Sequence, residues 1–414
     1  MPTEFLDLSS IRSQFPSLDR TVAGLPAVYL DGPAGTQVPQ TVIDAIGDYF
    51  VRCNANNGGK YETSRLTDEL TMNARRGMAA FLNCEADEIV FGANMTSLTF
   101  ALSRAIGREI GPGDEILVTA LDHDANVAPW RALEERGAVL REVAVRTDDC
   151  TLDLSDLESK LSSKTRLLAV GYASNAVGTI SPVQKITQMA HAAGALVYID
   201  AVHFAPHGAI DVQRIGCDFL ACSSYKFYGP HLGILFGRRA LLQRFRPYKV
   251  RPAGNAVPGC WETGTPPFEL LSGLNATLAY FARVGSGAAA ADRRPRAAME
   301  EAFRLFSMHE HALARSLLQG LTHIKSVRIF GITDPTRIDQ RCSTIAIQSE
   351  RLHASELAAA LGDRGFFVGQ GNCYALRLSE ELGLESRGGF LRLGLVHYNT
   401  EQEVQRLLNA LEEI

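Results

Sequence analysis

The chain has 414 residues, of which 46% are hydrophobic and 21% charged, and its formal net charge is −5. This composition is typical of a globular protein large enough for two domains, and it excludes collagen-like, repeat and disordered proteins. The negative charge provides no basic field for a nucleic acid or an anionic membrane. The first residues contain no basic or apolar run, so a cytoplasmic protein with no membrane partner is expected.

The eight cysteines are scattered along the chain, and no two of them form a Cys-x-x-Cys pair. Their spacing argues against a zinc knuckle, a thioredoxin-type motif and a disulfide framework. No metal site is therefore expected. Most of the cysteines are interpreted as small buried hydrophobic residues, with Cys373 as the exception.

Short apolar runs alternate with amphipathic stretches from the N-terminus to about residue 240, which favours a mainly parallel sheet with helices on both faces. The predicted strands cover 27–31, 88–91, 115–119, 167–170, 197–200 and the run that leads to Lys226. The predicted helices include 38–52, 63–83, a helix that begins near 98, and 183–193. Polar residues lie at or just beyond the strand ends, at Asp31, Thr96, His123, Asn175, Asp200 and Lys226. Because ligands of such sheets bind beyond the carboxyl ends of the strands, we expect these residues in one crevice.

Two of these positions indicate a carbonyl cofactor. Asp200 ends one apolar run, and Lys226 follows the next. A lysine amine can form an imine with an aldehyde, and a carboxylate can keep a nearby ring nitrogen protonated. This pair of residue types favours pyridoxal phosphate (PLP).

The strand over 88–91 is followed by a turn of small residues and then by a helix N-terminus. Free N–H groups and the helix dipole make this order of elements a predicted anion site, in the turn over 92–97.

A loop rich in proline and glycine over 251–267 is interpreted as a functional loop that ends the large domain. Beyond it the pattern predicts a small α+β domain. Its predicted elements are helices over 268–287, 294–321, 354–364 and from 400, and strands over 327–330, 343–348, 366–368 and 391–394. The predicted domains are an N-terminal segment 1–20 that packs with the small domain, a large cofactor domain 21–267, and linker helices with the small domain, 268–414.

Several longer motifs carry a resemblance to a known family. They are Tyr29-Leu-Asp-Gly-Pro-Ala-Gly-Thr, Asp122-His-Asp-Ala-Asn-Val-Ala-Pro-Trp, Ser174-Asn-Ala-Val-Gly-Thr-Ile, Asp200-Ala-Val-His, Ser223-Ser-Tyr-Lys-Phe-Tyr-Gly-Pro, Glu262-Thr-Gly-Thr-Pro-Pro and His397-Tyr-Asn-Thr. With these motifs in order over almost its whole length, the chain resembles the class V aminotransferases, nearest to the cysteine desulfurases and selenocysteine lyases. The resemblance implies an α/β protein of PLP fold type I, with a large, mainly parallel sheet domain and a small α+β C-terminal domain.

The resemblance also implies roles around the cofactor ring. Lys226 would form the Schiff base with PLP and move the proton at the substrate α-carbon, and Asp200 would pair with the ring nitrogen. His123 would stack on the ring and belong to the catalytic set. Asn175 would lie near the phenolic oxygen, where His203 replaces the usual glutamine and could donate a similar hydrogen bond.

The phosphate would be held by Met95, Thr96, Ser223 and Thr265, with Tyr225 in place of the histidine that often precedes the lysine. In the family the threonine reaches into the neighbouring subunit's site, so Thr265 implies a homodimer. Arg392, in Gly389-Phe-Leu-Arg-Leu-Gly, matches the arginine that grips the substrate carboxylate. Asn372 is expected at the same substrate site.

Two segments depart from the desulfurase pattern. Desulfurases need a cysteine that takes sulfur from the substrate, but the alignment through 368–375 places Tyr374 at that position and Cys373 one residue early. No cation near Cys373 is visible in the sequence, although one would lower its thiol pKa. The loop over 54–60 also lacks the usual histidine and arginine.

The leading hypothesis is a PLP enzyme that cleaves the C–S bond of a small amino acid. It covers desulfuration through Cys373, with a possible sulfur acceptor protein, and β-elimination from a cysteine conjugate. Transamination, epimerisation and decarboxylation form the alternative within enzymes, because the same cofactor supports all of them. A sulfur-relay or regulatory protein that binds PLP is the alternative of another class.

Overall fold

The protein is described by a computed structural model that covers residues 6–287 and 295–414. The strands of these residues are β1 Thr21–Val22, β2 Leu25–Pro26, β3 Val28–Leu30, β4 Ile89–Gly92, β5 Glu115–Thr119, β6 Val139–Val143, β7 Val145–Arg146, β8 Thr151–Leu152, β9 Thr165–Gly171, β10 Leu196–Asp200, β11 Phe219–Ser223, β12 Gly233–Gly237, β13 Val327–Phe330, β14 Thr344–Ser349, β15 Phe366–Gly371 and β16 Phe390–Gly394. The α-helices are α1 Leu8–Arg12, α2 Gln40–Arg52, α3 Glu62–Leu82, α4 Met95–Ile106, α5 Ala128–Arg131, α6 Leu154–Lys160, α7 Val183–Ala192, α8 Val212–Ile215, α9 Arg239–Arg244, α10 Phe268–Ser286, α11 Pro295–Leu321, α12 Ala354–Gly362, α13 Leu376–Glu381 and α14 Glu401–Glu413.

The large sheet has seven strands in the order β4-β12-β11-β10-β9-β5-β6. β12 is antiparallel to both of its neighbours, and the remaining pairs are parallel. Its central strands are buried on both faces, which explains why Val197–Ile199 is a continuous apolar run. The expected α/β class with a mainly parallel sheet is confirmed.

The register of the central strands aligns their carboxyl ends. Asp200 lies opposite Gly171 of β9 and Ala221 of β11. β11 then ends at Ser223, three residues before Lys226. The side chains that follow these strands therefore meet at one edge of the sheet.

A second sheet of five strands has the order β13-β14-β16-β15-β3. The prediction that the strand at 27–31 belongs to the large domain is wrong, since β3 pairs in parallel with β15, with Val28 opposite Phe366. An apolar strand needs a partner of matching register, and here that partner lies near the other end of the chain. The other domain boundaries stay predictions.

The chain ends are joined through α1. The Arg12 guanidinium donates to the Tyr398 carbonyl at 2.6 Å and to the Glu403 carboxylate at 2.9 Å. Residues 1–5 of the predicted N-terminal segment lie outside the described residues, as does residue 294 at the predicted start of the helix that is observed from Pro295. Within the described ranges, no helix is long and apolar enough to span a bilayer.

A buried ion pair fixes the loop over 251–267 against the large sheet. Arg75 of α3 donates to Glu262 at 2.6 Å and to the carbonyl of Ile89 at 2.7 Å. The other carboxylate oxygen of Glu262 accepts the N–H of Phe91 at 2.8 Å. Both side chains are about nine-tenths buried, so each charge depends on the other.

We predict that Arg75→Met lowers the free energy of unfolding by about 3 kcal/mol or more, because Glu262 would remain buried without its cation. Urea unfolding at a fixed cofactor concentration measures the change. Arg52→Met is the matched control, since Arg52 lies 3.9 Å from Asp48 with both side chains exposed, and it should cost less than about 1 kcal/mol. Equal losses of unfolding free energy in Arg75→Met and Arg52→Met would contradict the assignment of Arg75 and Glu262 as a stabilising buried ion pair.

Candidate active site

A cavity of about 860 Å³ opens at the carboxyl edge of the large sheet, where the loop after β15 covers it. Most of the side chains expected from the sequence line this cavity. They are Met95, Thr96, His123, Asn175, Asp200, His203, Ser223, Tyr225, Lys226, Cys373 and Arg392. The prediction that the strand-end residues share one crevice therefore agrees with the geometry at five of its six positions.

Asp31 is the exception, because it does not line the cavity. It follows β3 and bridges to Gly394 of the C-terminal sheet. The turn after it contributes backbone atoms instead. The carbonyls of Pro33 and Ala34 accept hydrogen bonds from the Lys226 amine at 2.5 Å and 3.0 Å.

Asp200 presents a buried carboxylate at the end of β10. One of its oxygens accepts the N–H of Val202 at 2.9 Å, which fixes the orientation of the side chain. Burial raises the pKa of Asp200 to about 6, although the Lys226 charge and the Val202 hydrogen bond oppose the shift. A protonated ring nitrogen would provide the charged hydrogen-bond donor that this carboxylate lacks within residues 6–287 and 295–414.

Lys226 lies in a short 3₁₀ turn directly after β11. Burial, followed by the nearby Arg392 charge, lowers the pKa of its amine to about 7. A lysine of ordinary pKa is almost fully protonated at neutral pH, whereas about half of this amine is free to attack a carbonyl.

The N-terminus of α4 lies at the position where the sequence predicts an anion site. Asn94 caps the helix by accepting the N–H of Ser97 at 2.8 Å, and the N–H of Met95 donates to the Ser223 hydroxyl at 2.9 Å. A Cβ on Gly233 would lie 2.4 Å from the Asn94 carbonyl carbon. The absence of a side chain on Gly233 thus lets β12 contact this turn, and the helix N-terminus and Ser223 suit a phosphate.

Asn175 Oδ1, a buried polar atom beside the cavity, has no hydrogen-bond partner among the described residues. Buried polar groups rarely stay unpaired, so a donor on a ligand, such as a hydroxyl, is the expected partner. Together with the Asp200 carboxylate, the Lys226 amine and the helix N-terminus, this atom fits the ring and phosphate of PLP.

The His123 ring stacks on the ring of Tyr374, with centroids 5.2 Å apart and an angle of 18° between planes. Its Nδ1 accepts the N–H of Ala125 at 3.0 Å. Burial, with the Lys226 and Arg392 charges, lowers the pKa of His123 to about 4, so the imidazole is neutral. A neutral flat ring at this position suits stacking better than proton transfer near pH 7.

Arg392, on β16, is buried and enters the cavity from the C-terminal sheet. One of its nitrogens donates to the carbonyl of Asn175 at 2.8 Å, while its Nε has no hydrogen-bond partner in the described part of the chain. The unpaired Nε leaves donor capacity for an anion such as an α-carboxylate.

Cys373 follows β15, and both it and Tyr374 adopt left-handed backbone conformations, with φ of 53° and 60°. Such conformations are unusual for these residue types and often occur at functional loops. Burial raises the thiol pKa of Cys373, and the charges of Arg392 and Lys226 only partly offset it. Neither cation was visible in the sequence around Cys373, because both come from distant parts of the chain.

Thr265 and Asn372 do not line the main cavity. Thr265 is exposed in a neighbouring pocket of about 350 Å³, which shares Ala93 and Ser97 with the cavity. Asn372 accepts the N–H of Tyr374 at 3.1 Å, so it shapes the loop. A role for either residue toward a ligand stays a prediction.

Sequence reasoning gave no role to Asp122 or Tyr374, although both line the cavity. Asp122 accepts the Thr119 hydroxyl at 2.8 Å, and burial, followed by the Asp200 charge, raises its pKa to about 7. The signal for Asp122 was its position directly before His123. The signal for Tyr374 was an aromatic residue at the position of the expected cysteine.

We predict that cofactor-free protein takes up PLP at a rate that rises about tenfold per pH unit below pH 7 and levels off above it, because only the neutral Lys226 amine reacts. Stopped-flow absorbance measures the rate. Arg392→Gln should move the midpoint to higher pH by removing a like charge. Lys226→Ala should abolish the covalent phase, and a midpoint near 10 in the parent protein would contradict the buried-amine assignment.

Comparison with known proteins places this geometry in a family. The model of the family described as aminotransferase class V matches residues 28–407. A cysteine desulfurase from Serratia proteamaculans is 33% identical over 98% of both chains. A probable cysteine desulfurase from Halalkalibacterium halodurans is 30% identical over 99% of this chain and 98% of its own.

Solved structures agree with this placement. The apo cysteine desulfurase from Thermococcus onnurineus NA1 superimposes with a TM-score of 0.88 at 25% identity, covering 100% of this chain and 99% of its own. The cysteine desulfurase CsdA from Escherichia coli, in its S-sulfonic acid form, gives 0.84 at 25% identity, covering 99% and 98%. The chain belongs to the class V aminotransferase family.

Proposed function

We propose that this protein is a PLP-dependent enzyme that cleaves the C–S bond of cysteine or a cysteine-like amino acid. The observation that carries the proposal is the convergence of Lys226, Asp200 and Arg392 on one cavity. Lysine and aspartate match the aldehyde and ring nitrogen of the cofactor, and the arginine matches a substrate carboxylate. The relatives named as cysteine desulfurases support the choice of a sulfur amino acid.

Each of these side chains has a distinct task. PLP, when bound, supplies an electron sink for the electrons of a bond broken at the substrate α-carbon. Lys226 holds the cofactor and, once released by the substrate, moves the α-proton. Asp200 keeps the ring nitrogen protonated, and Arg392 holds the α-carboxylate so that the bond to be broken is oriented.

The fate of the sulfur depends on Cys373. In desulfuration its thiolate would attack the substrate sulfur, the C–S electrons would pass to the substrate carbon, and alanine and a cysteine persulfide would form. Cys373 lines the cavity, and the neighbouring Tyr374 is 70% exposed. An acceptor protein could therefore reach the loop and collect the sulfur.

A second candidate reaction is favoured by one observation, the raised thiol pKa of Cys373. A protonated thiol is a poor nucleophile. In β-elimination the α-proton is removed and the C–S electrons leave with the sulfur, so no acceptor thiol is needed. The remaining unsaturated product hydrolyses to pyruvate and ammonia.

We predict that Cys373→Ala lowers alanine formation from cysteine at least about 100-fold, because the persulfide can no longer form. Alanine, pyruvate, ammonia and sulfide are quantified separately. Cys53→Ala, which removes a partly buried cysteine outside the cavity, is the control and should have no effect. Unchanged sulfide and pyruvate release in Cys373→Ala would exclude desulfuration and leave β-elimination. If the enzyme forms neither alanine nor pyruvate from any sulfur amino acid, the proposal of C–S cleavage is overturned.

We further propose that the enzyme is a homodimer in which Thr265 completes the partner's phosphate site. Its pocket adjoins the main cavity, and Thr265 itself is exposed. Exposed apolar side chains on α2, Phe50 at 53% and Val51 at 85%, provide surface that a partner could cover. A shared site would explain why this threonine is absent from its own cavity.

Mixing Lys226→Ala with Thr265→Ala subunits tests the shared site. If Thr265 acts across the interface, each mixed dimer contains one site with neither lesion, and random mixing restores about a quarter of the wild-type sites. Activity after subunit exchange should therefore exceed the mean of the two parents. A value at that mean in exchanged dimers, or a monomer by sedimentation, would contradict the proposal.

A further inference from the structure

A second group of reactive side chains lies beside the cofactor cavity, buried from solvent. It consists of His203, His207 and Cys342, each at most 7% exposed. One ring nitrogen from each histidine and the cysteine sulfur all lie within 4.8 Å of one another. Imidazole nitrogen and thiolate sulfur are the donors that zinc prefers.

The fold brings this cluster together from two distant segments. His203 and His207 lie four residues apart in the turns after β10, where the Ala205 N–H donates to the carbonyl of Ala201 at 2.9 Å. Cys342 lies just before β14, and its N–H donates to the carbonyl of Gly178 at 2.8 Å. Because the spacing of histidine and cysteine in sequence is so wide, sequence analysis predicted no metal site.

A buried carboxylate orients one of the histidines. Glu310 of α11 accepts from Nδ1 of His207 at 2.6 Å and from the Ser343 hydroxyl at 2.9 Å. With Nδ1 bonded to the carboxylate, Nε2 of His207 is the nitrogen left for a metal. Histidines that bind a metal through one ring nitrogen commonly donate a hydrogen bond from the N–H of the other to a carboxylate.

Among the described residues, His203 Nε2 of the group and Glu310 Oε1 beside it lack hydrogen-bond partners. Once Cys342 ionises, its thiolate and the Glu310 carboxylate carry two negative charges, and the neighbouring Arg341 guanidinium, which is also buried, offsets one of them. A divalent cation would offset the other and bind the thiolate directly. Burial and the Glu310 charge raise the thiol pKa of Cys342, so a metal would have to displace the thiol proton.

We propose that His203 Nε2, His207 Nε2 and Cys342 Sγ bind one Zn²⁺, with the Cys342 proton released to solvent on binding. The ligand atoms need to close by about 1 Å to reach the usual bond lengths of roughly 2.0–2.1 Å to nitrogen and 2.3 Å to sulfur. The adjoining pocket of about 140 Å³, lined by His207, Glu310 and Cys342, has room for a water as fourth ligand.

The position of the site gives it a function. His203 belongs to the cluster of possible metal ligands and also lines the cofactor cavity. A bound Zn²⁺ would fix this ring beside the cofactor and link the turn after β10 to β14 of the C-terminal sheet. It would therefore couple the cofactor cavity to the sheet that carries Arg392.

The test is a Zn²⁺ titration of the PLP-loaded enzyme after chelator treatment, with a chromogenic chelator as competitor. We expect about one Zn²⁺ per chain with a Kd below about 1 µM. Cys342→Ser and His207→Gln should each weaken binding at least about 100-fold, and Glu310→Gln about 10- to 100-fold at the same stoichiometry. Circular dichroism checks that each variant is folded.

Two cysteine controls separate this site from adventitious binding. Cys217→Ser changes another buried cysteine, and Cys373→Ser changes the thiol in the cofactor cavity. Both should bind Zn²⁺ as the parent does. Less than about 0.1 Zn²⁺ per folded parent chain at 10 µM free metal would overturn the proposal. So would binding that is lost in Cys373→Ser but kept in Cys342→Ser and His207→Gln.

Discussion

The parallel pairing of β10 with β9 and β11 is the constraint on which the site depends. It places Asp200 level with the end of β11, so that the turn after Ser223 carries Lys226 to the same edge of the sheet. The strands are buried on both faces, so a shift of register would misplace side chains that are closely packed on each face. The relative positions of carboxylate and amine are therefore held by the free energy of the core.

Burial in the cavity disfavours the charged forms of Asp200 and Lys226. Burial raises the pKa of Asp200 to about 6 and lowers that of Lys226 to about 7, so each group is driven toward its neutral form. Shifts of opposite sign in one cavity are typical of functional sites. A ligand with a cationic ring nitrogen and an aldehyde would relieve both, which is the physical basis of the PLP proposal.

Sequence reasoning located the residues at this edge of the sheet well because their positions follow from local order. Asp200, His123 and Asn175 each come at or just after an apolar run, and parallel strands bring such positions together. It failed where the partners are far apart in the chain. β3 was assigned to the wrong sheet, and the cations near Cys373 went unseen, because neither the pairing with β15 nor the approach of Arg392 has a local signal. His203 shows the same limit: its place near the cofactor was expected, but its contact with His207 and Cys342 was not.

One of the two departures from the expected desulfurase pattern lies at the loop after β15. The cofactor edge retains lysine, aspartate and a helix N-terminus, whereas the loop carries Cys373 and Tyr374 in left-handed conformations. The ring of Tyr374 lies on His123. The residues proposed to hold the cofactor thus lie at the edge of the sheet, whereas Cys373, on which the proposed reaction depends, lies in a loop.

The central claim is that Lys226 is the residue that binds the cofactor. The most direct measurement is borohydride reduction of the PLP-loaded protein, followed by proteolysis and peptide mass spectrometry. The account predicts a pyridoxyl group on the peptide that contains Lys226, at close to one per chain. Modification of other lysines with Lys226 unmodified, or no stable adduct at saturating PLP, would contradict it.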